Sequence, residues 1–94
     1  MREISDEKLD KYFDITKTAL KMARESEKSD EEKSSEILDM VERYVSDAQF
    51  FREKNDVVNA FACLNYAHGW LDCGARLKIF LVYDDYYFTV DAKD

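Results

Sequence analysis

Proline is missing from this 94-residue chain, and glycine occurs at only two positions. Because proline and glycine mark turns and flexible linkers, their scarcity argues against a linker or a low-complexity tract. A chain of this length forms one small domain around a single core, which we expect to span residues 1–94.

Cysteine and histidine are also scarce, with two Cys and one His in the whole chain. Cys63 and Cys73 lie on one predicted helix, about 15 Å apart along its axis, which is too far for a disulfide between them. A single His offers no ligand spacing for a structural zinc site. We therefore expect reduced thiols, no metal, no cofactor and a cytoplasmic location.

Long apolar runs and a positive charge excess are absent as well. No run of about 18 apolar residues is free of charges, so no membrane span is predicted. The charged N-terminus has no signal-peptide core. The net charge of −7 makes nucleic acid an unlikely partner, because phosphates repel an acidic surface.

Three long amphipathic segments make up most of the chain, and they predict helices at about 6–27, 31–54 and 57–82. Apolar residues recur at steps of three and four along the first two. The predicted seams are Leu9, Phe13, Thr16, Leu20 and Ala23 in the first helix, and Ile37, Val41, Tyr44, Ala48 and Phe51 in the second. Short connections favour antiparallel neighbours. The predicted fold class is all-α, a three-helix antiparallel (up-down-up) bundle with Phe13, Val41 and Leu64 in one core.

The helix ends and the C-terminal segment carry further signals. Expected N-caps are Ser5 for the first helix, Ser29 with Glu32 as a capping box for the second, and Asn55 or Asp56 for the third. Residues 83–94 are predicted to form a short extended C-terminal tail, because Tyr86–Val90 favours extended backbone. We expect this tail to lie along the bundle or to dock on another molecule, with its last few residues frayed.

The third helix has an apolar surface that is wider than a bundle helix normally buries. Its apolar side chains cover more than half of the circumference: Cys63, Leu64, Tyr66, Ala67, Trp70, Leu71, Cys73, Gly74, Leu77, Phe80 and Leu81. The excess predicts a cover, which is either the tail or a second copy of the chain paired through this helix. Ala60, Ala67 and Gly74 recur every seven residues and predict a close approach along that line.

The remaining arc of the third helix is the candidate polar site, formed by Asn65, His68, Gly69, Asp72 and Arg76. His68, Asp72 and Arg76 are four residues apart, so each neighbours the next. In a catalytic interpretation, His68 is a general base oriented by Asp72, and Arg76 binds an anionic substrate. The other interpretation is an ion-pair ladder or a polar seam between helices. Gly69 would let a neighbouring group or a ligand approach the backbone. The helix contains no Ser or Thr nucleophile, and no catalytic residue is assigned.

The run Asp56–Leu77, DVVNAFACLNYAHGWLDCGARL, resembles the signature of a small archaeal family catalogued as domain of unknown function 357. Tyr44–Lys54, YVSDAQFFREK, and Phe88–Val90 are similar to it too. The resemblance implies a three-helix bundle and an archaeal, cytosolic setting. It carries no established activity and therefore transfers no functional residues.

Two functions are left open by the sequence. The first is a non-enzymatic protein-interaction module, able to self-associate as a homodimer through the third helix or to bind an unknown protein partner. The alternative is a small-molecule-binding or minor enzymatic site around His68, Asp72 and Arg76.

Overall fold

The computed structural model describes residues 4–90 and contains three α-helices. They are α1 (Asp6–Glu25), α2 (Glu31–Glu53) and α3 (Val57–Arg76). The predicted α1 and α2 agree with these bounds to within two residues. Residues 1–3 of the expected domain, and the predicted fraying of the last few residues, lie outside the described part. None of the three helices has the length and apolar character needed to cross a bilayer.

The N-terminal caps of α1 and α2 show one confirmed and one wrong prediction. Ser5 caps α1, accepting from the Lys8 N–H at 3.1 Å. The cap of α2 is Asp30 rather than Ser29, and its carboxylate accepts from the Lys33 N–H at 3.0 Å. Ser29 does not cap α2, because its hydroxyl donates instead to the backbone carbonyl of Lys78, 2.6 Å away and just beyond the end of α3.

At the start of α3, Asp56 is the N-cap, and its carboxylate accepts from the Asn59 N–H at 3.1 Å. Asn55 instead adopts the left-handed conformation, with a φ of 61°. Asparagine is one of the few residues other than glycine that tolerates this region. The two candidates therefore share the tight turn, one as the turn residue and the other as the cap.

The core consists of two clusters, one towards each end of the bundle. The first contains Ala19, Leu20, Ala23, Ile37, Val41, Ala67, Leu71 and Ala75, together with Phe80, Val82 and Phe88 from beyond α3. The second contains Leu9, Phe13, Ala48, Ala60 and Leu64. The first half of α2 thus meets the second halves of α1 and α3, which is the predicted up-down-up arrangement. The predicted single core is wrong for Val41, which lies in a different cluster from Phe13 and Leu64.

The predicted end of α3 near residue 82 is wrong, because the helix stops at Arg76. Lys78 adopts the left-handed conformation with a φ of 59° and reverses the chain. The Lys78 N–H donates to the Ala75 carbonyl at 3.0 Å, and the Ile79 N–H donates to the Gly74 carbonyl at 2.9 Å. This pair of bonds is the Schellman arrangement, which usually has glycine in the left-handed position. Because this position holds a lysine, the sequence did not indicate that the helix ends here.

After this reversal, Phe80 folds back onto α3 and is fully buried. It pairs with Lys28 in an isolated antiparallel bridge, so the segment also joins the loop between α1 and α2. A Cβ atom on Gly74 would lie 2.4 Å from Phe80 Cζ, far inside contact distance. The predicted packing role of Gly74 is therefore confirmed, and the close neighbour is a ring of the following segment.

The tail lies along the bundle, which is one of the two predicted placements. Phe88 is 3% exposed and belongs to the first core cluster. Over residues 85–90 the backbone forms a turn and bends instead of running straight. Asp84 causes the turn, since its carboxylate accepts from the N–H groups of Tyr86 (2.9 Å) and Tyr87 (3.3 Å).

Candidate functional site

The five candidate site residues lie on two different sides of α3. His68, Asp72 and Arg76 line a cavity of about 430 Å³ against the tail. Asn65 and Gly69 line a groove of about 660 Å³ on the neighbouring, uncovered side. The helix therefore carries two candidate surfaces, and the structure does not bring all five residues together.

On the tail side, the polar groups of α3 hold the tail backbone. His68 Nε2 lies 2.6 Å from the Tyr87 carbonyl oxygen. A carbonyl can only accept, so this ring nitrogen carries a hydrogen and donates it. Asp72 accepts from the Thr89 N–H at 2.8 Å and from the Thr89 hydroxyl at 3.1 Å.

The predicted proximity of His68 and Asp72 is present, but the two side chains bond to the tail rather than to each other. His68 Nε2 lies 3.7 Å from Asp72 Oδ1, beyond hydrogen-bond range. Arg76 is exposed, and the ion pairs found among residues 4–90 do not join it to Asp72. His68 and Asp72 therefore hold the tail against α3. Binding of a small molecule at these residues stays a prediction.

The tail partners, Tyr87 and Thr89, were not anticipated from the sequence. Thr89 follows Asp72 by 17 positions and contributes a backbone N–H as well as its hydroxyl. Every residue except proline has such an N–H, so no sequence pattern marks the one that will be used. The only indication in the sequence was the row of polar residues His68, Asp72 and Arg76 on the third helix, whose partners it did not reveal.

Neither the cysteines nor the acids form an evident reactive centre within residues 4–90. No group of three or more His, Cys, Asp or Glu side chains in that range is placed to hold a metal ion. Both cysteines are free thiols. Burial, and to a lesser degree the nearby Asp47 carboxylate, raises the pKa of the Cys63 thiol. Cys63 is therefore a poor nucleophile at neutral pH.

The second candidate surface is the open face of α3. We define it by the residues Val58, Asn59, Ala62, Asn65, Tyr66, Gly69, Trp70 and Cys73, which point to one side of the helix and include the groove. Arg76 stands at the border between this face and the cavity against the tail. Tyr66 is 63% exposed and Trp70 is 38% exposed. These two aromatic side chains belong to the apolar excess of the third helix, for which the sequence predicts a cover. Within residues 4–90, the tail covers another side of α3, and no segment covers the open face.

Gly69 is the small position in the middle of the open face. A Cβ added there would have no atom within 4 Å. The expected close approach of a neighbouring group to this glycine does not occur within the part of the chain that is described. The described residues leave the space above Gly69 open, with Tyr66 and Trp70 beside it.

Comparison with known proteins gives a family and no activity. The family model described as Protein of unknown function (DUF357) matches residues 11–80, which is more than half of the chain. The match covers all of α2 and α3 and most of α1, which confirms the family suggested by Tyr44–Lys54 and Asp56–Leu77, whereas Phe88–Val90 lies outside the matched range. No curated protein and no solved structure matches the chain significantly.

Proposed function

This chain belongs to the family Protein of unknown function (DUF357), and we propose that it is a non-enzymatic protein-interaction module that binds another α-helix through the open face of α3. The observation that carries the proposal is the exposure of aromatic side chains on a face with almost no charge. A cytoplasmic location is part of the proposal, since the two free thiols suit a reducing compartment.

The charge of the exposed residues distinguishes α3 from α1. The exposed residues of α1 are all charged except Thr18. The exposed residues of α3 are all uncharged except Arg76, which stands at its last turn. Interface cores are depleted of Lys, Glu and Asp relative to the remaining surface. Of the two helices, α3 therefore has the composition of a binding surface.

The large side chains on the open face are of the types that dominate binding energy. Tyr and Trp are enriched among interface residues whose truncation costs most. Tyr66 is backed by Tyr44 of α2, with the rings stacked at a centroid distance of 5.5 Å. A supported ring loses less conformational freedom on binding, which favours association.

The shape of the open face suits a helix as the bound element. Tyr66 and Trp70 stand beside small residues, so the surface alternates between projections and hollows. Side chains of one helix pack between those of another in this way. Anchors spaced three and four residues apart are typical of helix recognition.

Affinity capture with matched variants tests the proposal. The tagged chain and two variants, Trp70→Glu and Phe50→Glu, are incubated with an extract of the source cell, and bound proteins are identified by mass spectrometry. Phe50 lies on α2, outside the open face, and is 54% exposed, so its variant controls for loss of an exposed aromatic. We expect bound chains that the Phe50 variant retains and the Trp70 variant loses. Equal recovery with all three proteins would contradict the proposal.

The alternative function, a small-molecule site at His68, Asp72 and Arg76, has one supporting observation, the cavity that these residues line with the tail. Its support is weaker because the tail already uses the polar groups of His68 and Asp72. NMR of the single histidine ring tests it. Shifts on adding a metabolite extract, lost in Arg76→Ala, would support this function, and an unchanged spectrum would count against it.

A further inference from the structure

The tail lies on a surface of α1 and α3 that is separate from the open face. We call this surface the tail groove, and it is lined by Glu7, Asp10 and Asp14 of α1 and by His68, Asp72 and Arg76 of α3. We infer that the tail groove is a peptide-binding site. Its ligand is a segment of another protein that has a Lys or Arg two positions before an aromatic residue, with a Thr or Ser directly after the aromatic. This inference goes beyond the helix proposed to bind the open face and does not depend on it.

The polar side chains of α3 bind main-chain atoms of the tail. His68 Nε2 donates to the Tyr87 carbonyl oxygen at 2.6 Å, and Asp72 accepts from the Thr89 N–H at 2.8 Å. Every peptide has such a carbonyl and, unless the residue is proline, an N–H two positions later. A peptide of another protein in the same register can therefore make both contacts, which supply affinity without reading its sequence.

Two side chains of the tail add selectivity to these contacts. Phe88 is 3% exposed and packs in the first core cluster, so this position requires a large apolar ring. The Thr89 hydroxyl donates to Asp72 at 3.1 Å, so the next position favours a hydroxyl group. The tail itself thus shows which pattern the groove accepts, an aromatic residue followed by Thr or Ser.

The tail is held in the groove by side chains. Among residues 4–90, the one backbone-to-backbone hydrogen bond of residues 84–90 joins Phe88 to Asp84 within the tail. Residues 84–90 can therefore leave the groove without breaking such a bond to the helices. His68 and Asp72 also lie within the range matched by the family model, residues 11–80, whereas the tail residues that they bind lie beyond it.

The charge of the groove favours a cation at the position of Tyr86. Three carboxylates and one cation of α1 line the cavity beside this residue: Glu7, Asp10, Asp14 and Lys11. Arg52 pairs with Asp10, which still leaves negative charge in excess. The tail adds no cation of its own, since Asp84 and Asp85 are the charged residues of 82–90. Tyr86 is 67% exposed, so a Lys or Arg has room there and would complement the acidic wall.

The native tail competes with any such peptide. A segment tethered beside its own site has an effective concentration on the order of millimolar. The apparent affinity of a competing peptide falls in proportion to the fraction of chains whose groove is free. We therefore expect weak binding to the native chain and tighter binding to a chain whose tail is loosened while its groove stays intact.

Fluorescence anisotropy with two labelled peptides tests the inference. The first peptide has the sequence of residues 84–90 with Tyr86→Lys, and the control peptide carries Phe88→Ala as well, so both have the same charge. Asp85 is kept because it shares a cavity with Arg76. In the full chain, Phe88→Ala removes the ring of the tail and keeps every groove residue. We expect this variant to bind the first peptide at least about tenfold more tightly than the native chain does, and at least about tenfold more tightly than it binds the control peptide. Equal affinity for both peptides in a folded Phe88→Ala chain would overturn the inference.

Thr89→Ala loosens the tail more gently, because it removes the hydroxyl contact to Asp72 and keeps the Phe88 ring in the core. This variant carries the test if circular dichroism shows that the Phe88→Ala chain is unfolded. We expect it to bind the first peptide about two- to tenfold more tightly than the native chain does, the range for one lost hydrogen bond. Unaltered affinity would then overturn the inference.

Hydrogen exchange and a charge variant locate the peptide. Saturating first peptide should displace the tail of the native chain and accelerate amide exchange at Thr89, and unaltered exchange would mean that the peptide binds elsewhere. Asp14→Asn should weaken the first peptide more than a peptide that keeps Tyr86. Glu36→Gln, at an exposed position of α2, is the charge control and should affect both peptides alike. An equal effect of Asp14→Asn on both peptides would overturn the proposed cation.

Trp70→Glu separates this inference from the proposed function. Trp70 lies on the open face, outside the tail groove, so its replacement should leave peptide binding unaltered. Loss of peptide binding in this variant would place the peptide on the open face and overturn the inference, while the proposed function would stand. Failure of the capture experiment would overturn the proposed function without altering the peptide result.

Discussion

Gly69 and Gly74 lie in the same helix and meet opposite surroundings. A Cβ on Gly74 would lie 2.4 Å from Phe80 Cζ, whereas a Cβ on Gly69 would find nothing within 4 Å. Glycine inside a helix costs about 1 kcal/mol relative to alanine. Packing against Phe80 explains that cost at Gly74. Among residues 4–90, no contact explains it at Gly69.

The same contrast holds for the two sides of α3. On the tail side, His68 and Asp72 have hydrogen-bond partners from Tyr87 and Thr89. On the open face, aromatic rings stay in contact with water. On the tail side, these polar groups thus have partners within the chain, whereas the open face keeps Tyr66 and Trp70 exposed. Substitutions on each side of α3 test this difference.

Phe80→Ala should cause the largest loss of stability. The ring is fully buried against α3, and truncating a buried Phe to Ala costs about 3–5 kcal/mol. The measurement is the free energy of unfolding from reversible urea denaturation of dilute protein. A loss below about 1 kcal/mol would mean that this ring does not hold the segment onto the helix.

Gly74→Ala should destabilise the chain by about 1–3 kcal/mol, because the added methyl group overpacks against Phe80. The sign should reverse in a Phe80→Ala background, where the space is free and alanine favours the helix by about 1 kcal/mol. A double-mutant cycle in denaturant measures both effects. Additive effects of the two substitutions would disprove the steric link between Gly74 and Phe80.

Asp72→Asn should loosen the tail by about 1 kcal/mol, since a carboxylate acceptor for Thr89 becomes a weaker neutral one. Amide hydrogen exchange at Thr89 should accelerate while exchange in the middle of α2 stays as before. Asp39→Asn, on the exposed side of α2, is the control for a lost surface charge. Equal exchange at Thr89 in both variants would show that Asp72 does not hold the tail.

Gly69→Ala should stabilise the dilute monomer by about 0.5–1 kcal/mol, the gain expected for replacing an unneeded helical glycine. This result would be opposite in sign to that of Gly74→Ala, five positions along the same helix. Urea denaturation measures both variants under one condition. Destabilisation by Gly69→Ala would imply a contact at Gly69 that the structure lacks.

The two cysteines also differ in how far they are exposed to water. Cys73 is exposed, whereas burial raises the pKa of the Cys63 thiol above its usual value. The folded state therefore binds the Cys63 proton more tightly than the unfolded state does. The resulting contribution to stability is fully present below the pKa of the unfolded state, and it is lost as the pH rises through the pKa of the folded state. We expect a thiol reagent to label Cys73 first. The native chain should also lose slightly more stability than Cys63→Ser at alkaline pH, measured by denaturation.

Much of the fold could be predicted because it depends on local periodicity. The seam of α1 appears in the structure with Leu9, Phe13 and Thr16 all buried. Helix starts were predictable from Ser5 and Asp56, since a cap side chain bonds to its own first turn. The end of α3 was not, because Lys78 takes a conformation for which glycine is the usual signal.

The candidate site was only half predictable. Position along α3 correctly placed His68 near Asp72, at 3.7 Å, because residues four apart share a helix face. The partners of both side chains come from the tail, and the sequence has no pattern that marks which distant backbone group will arrive. The sequence showed that α3 has excess apolar surface. Only the position of the tail shows that this surface, the open face, is separate from the side on which His68 and Asp72 lie.

Three helices, their antiparallel order and their apolar seams could be predicted from the sequence, because backbone hydrogen bonds and side-chain spacing within a helix are local. The end of α3, the side of it that the tail covers and the crowding of Gly74 could be seen only in the folded chain. Those outcomes depend on contacts between distant segments, such as Phe80 with Gly74 and Thr89 with Asp72, and such contacts follow from shape and competition among segments.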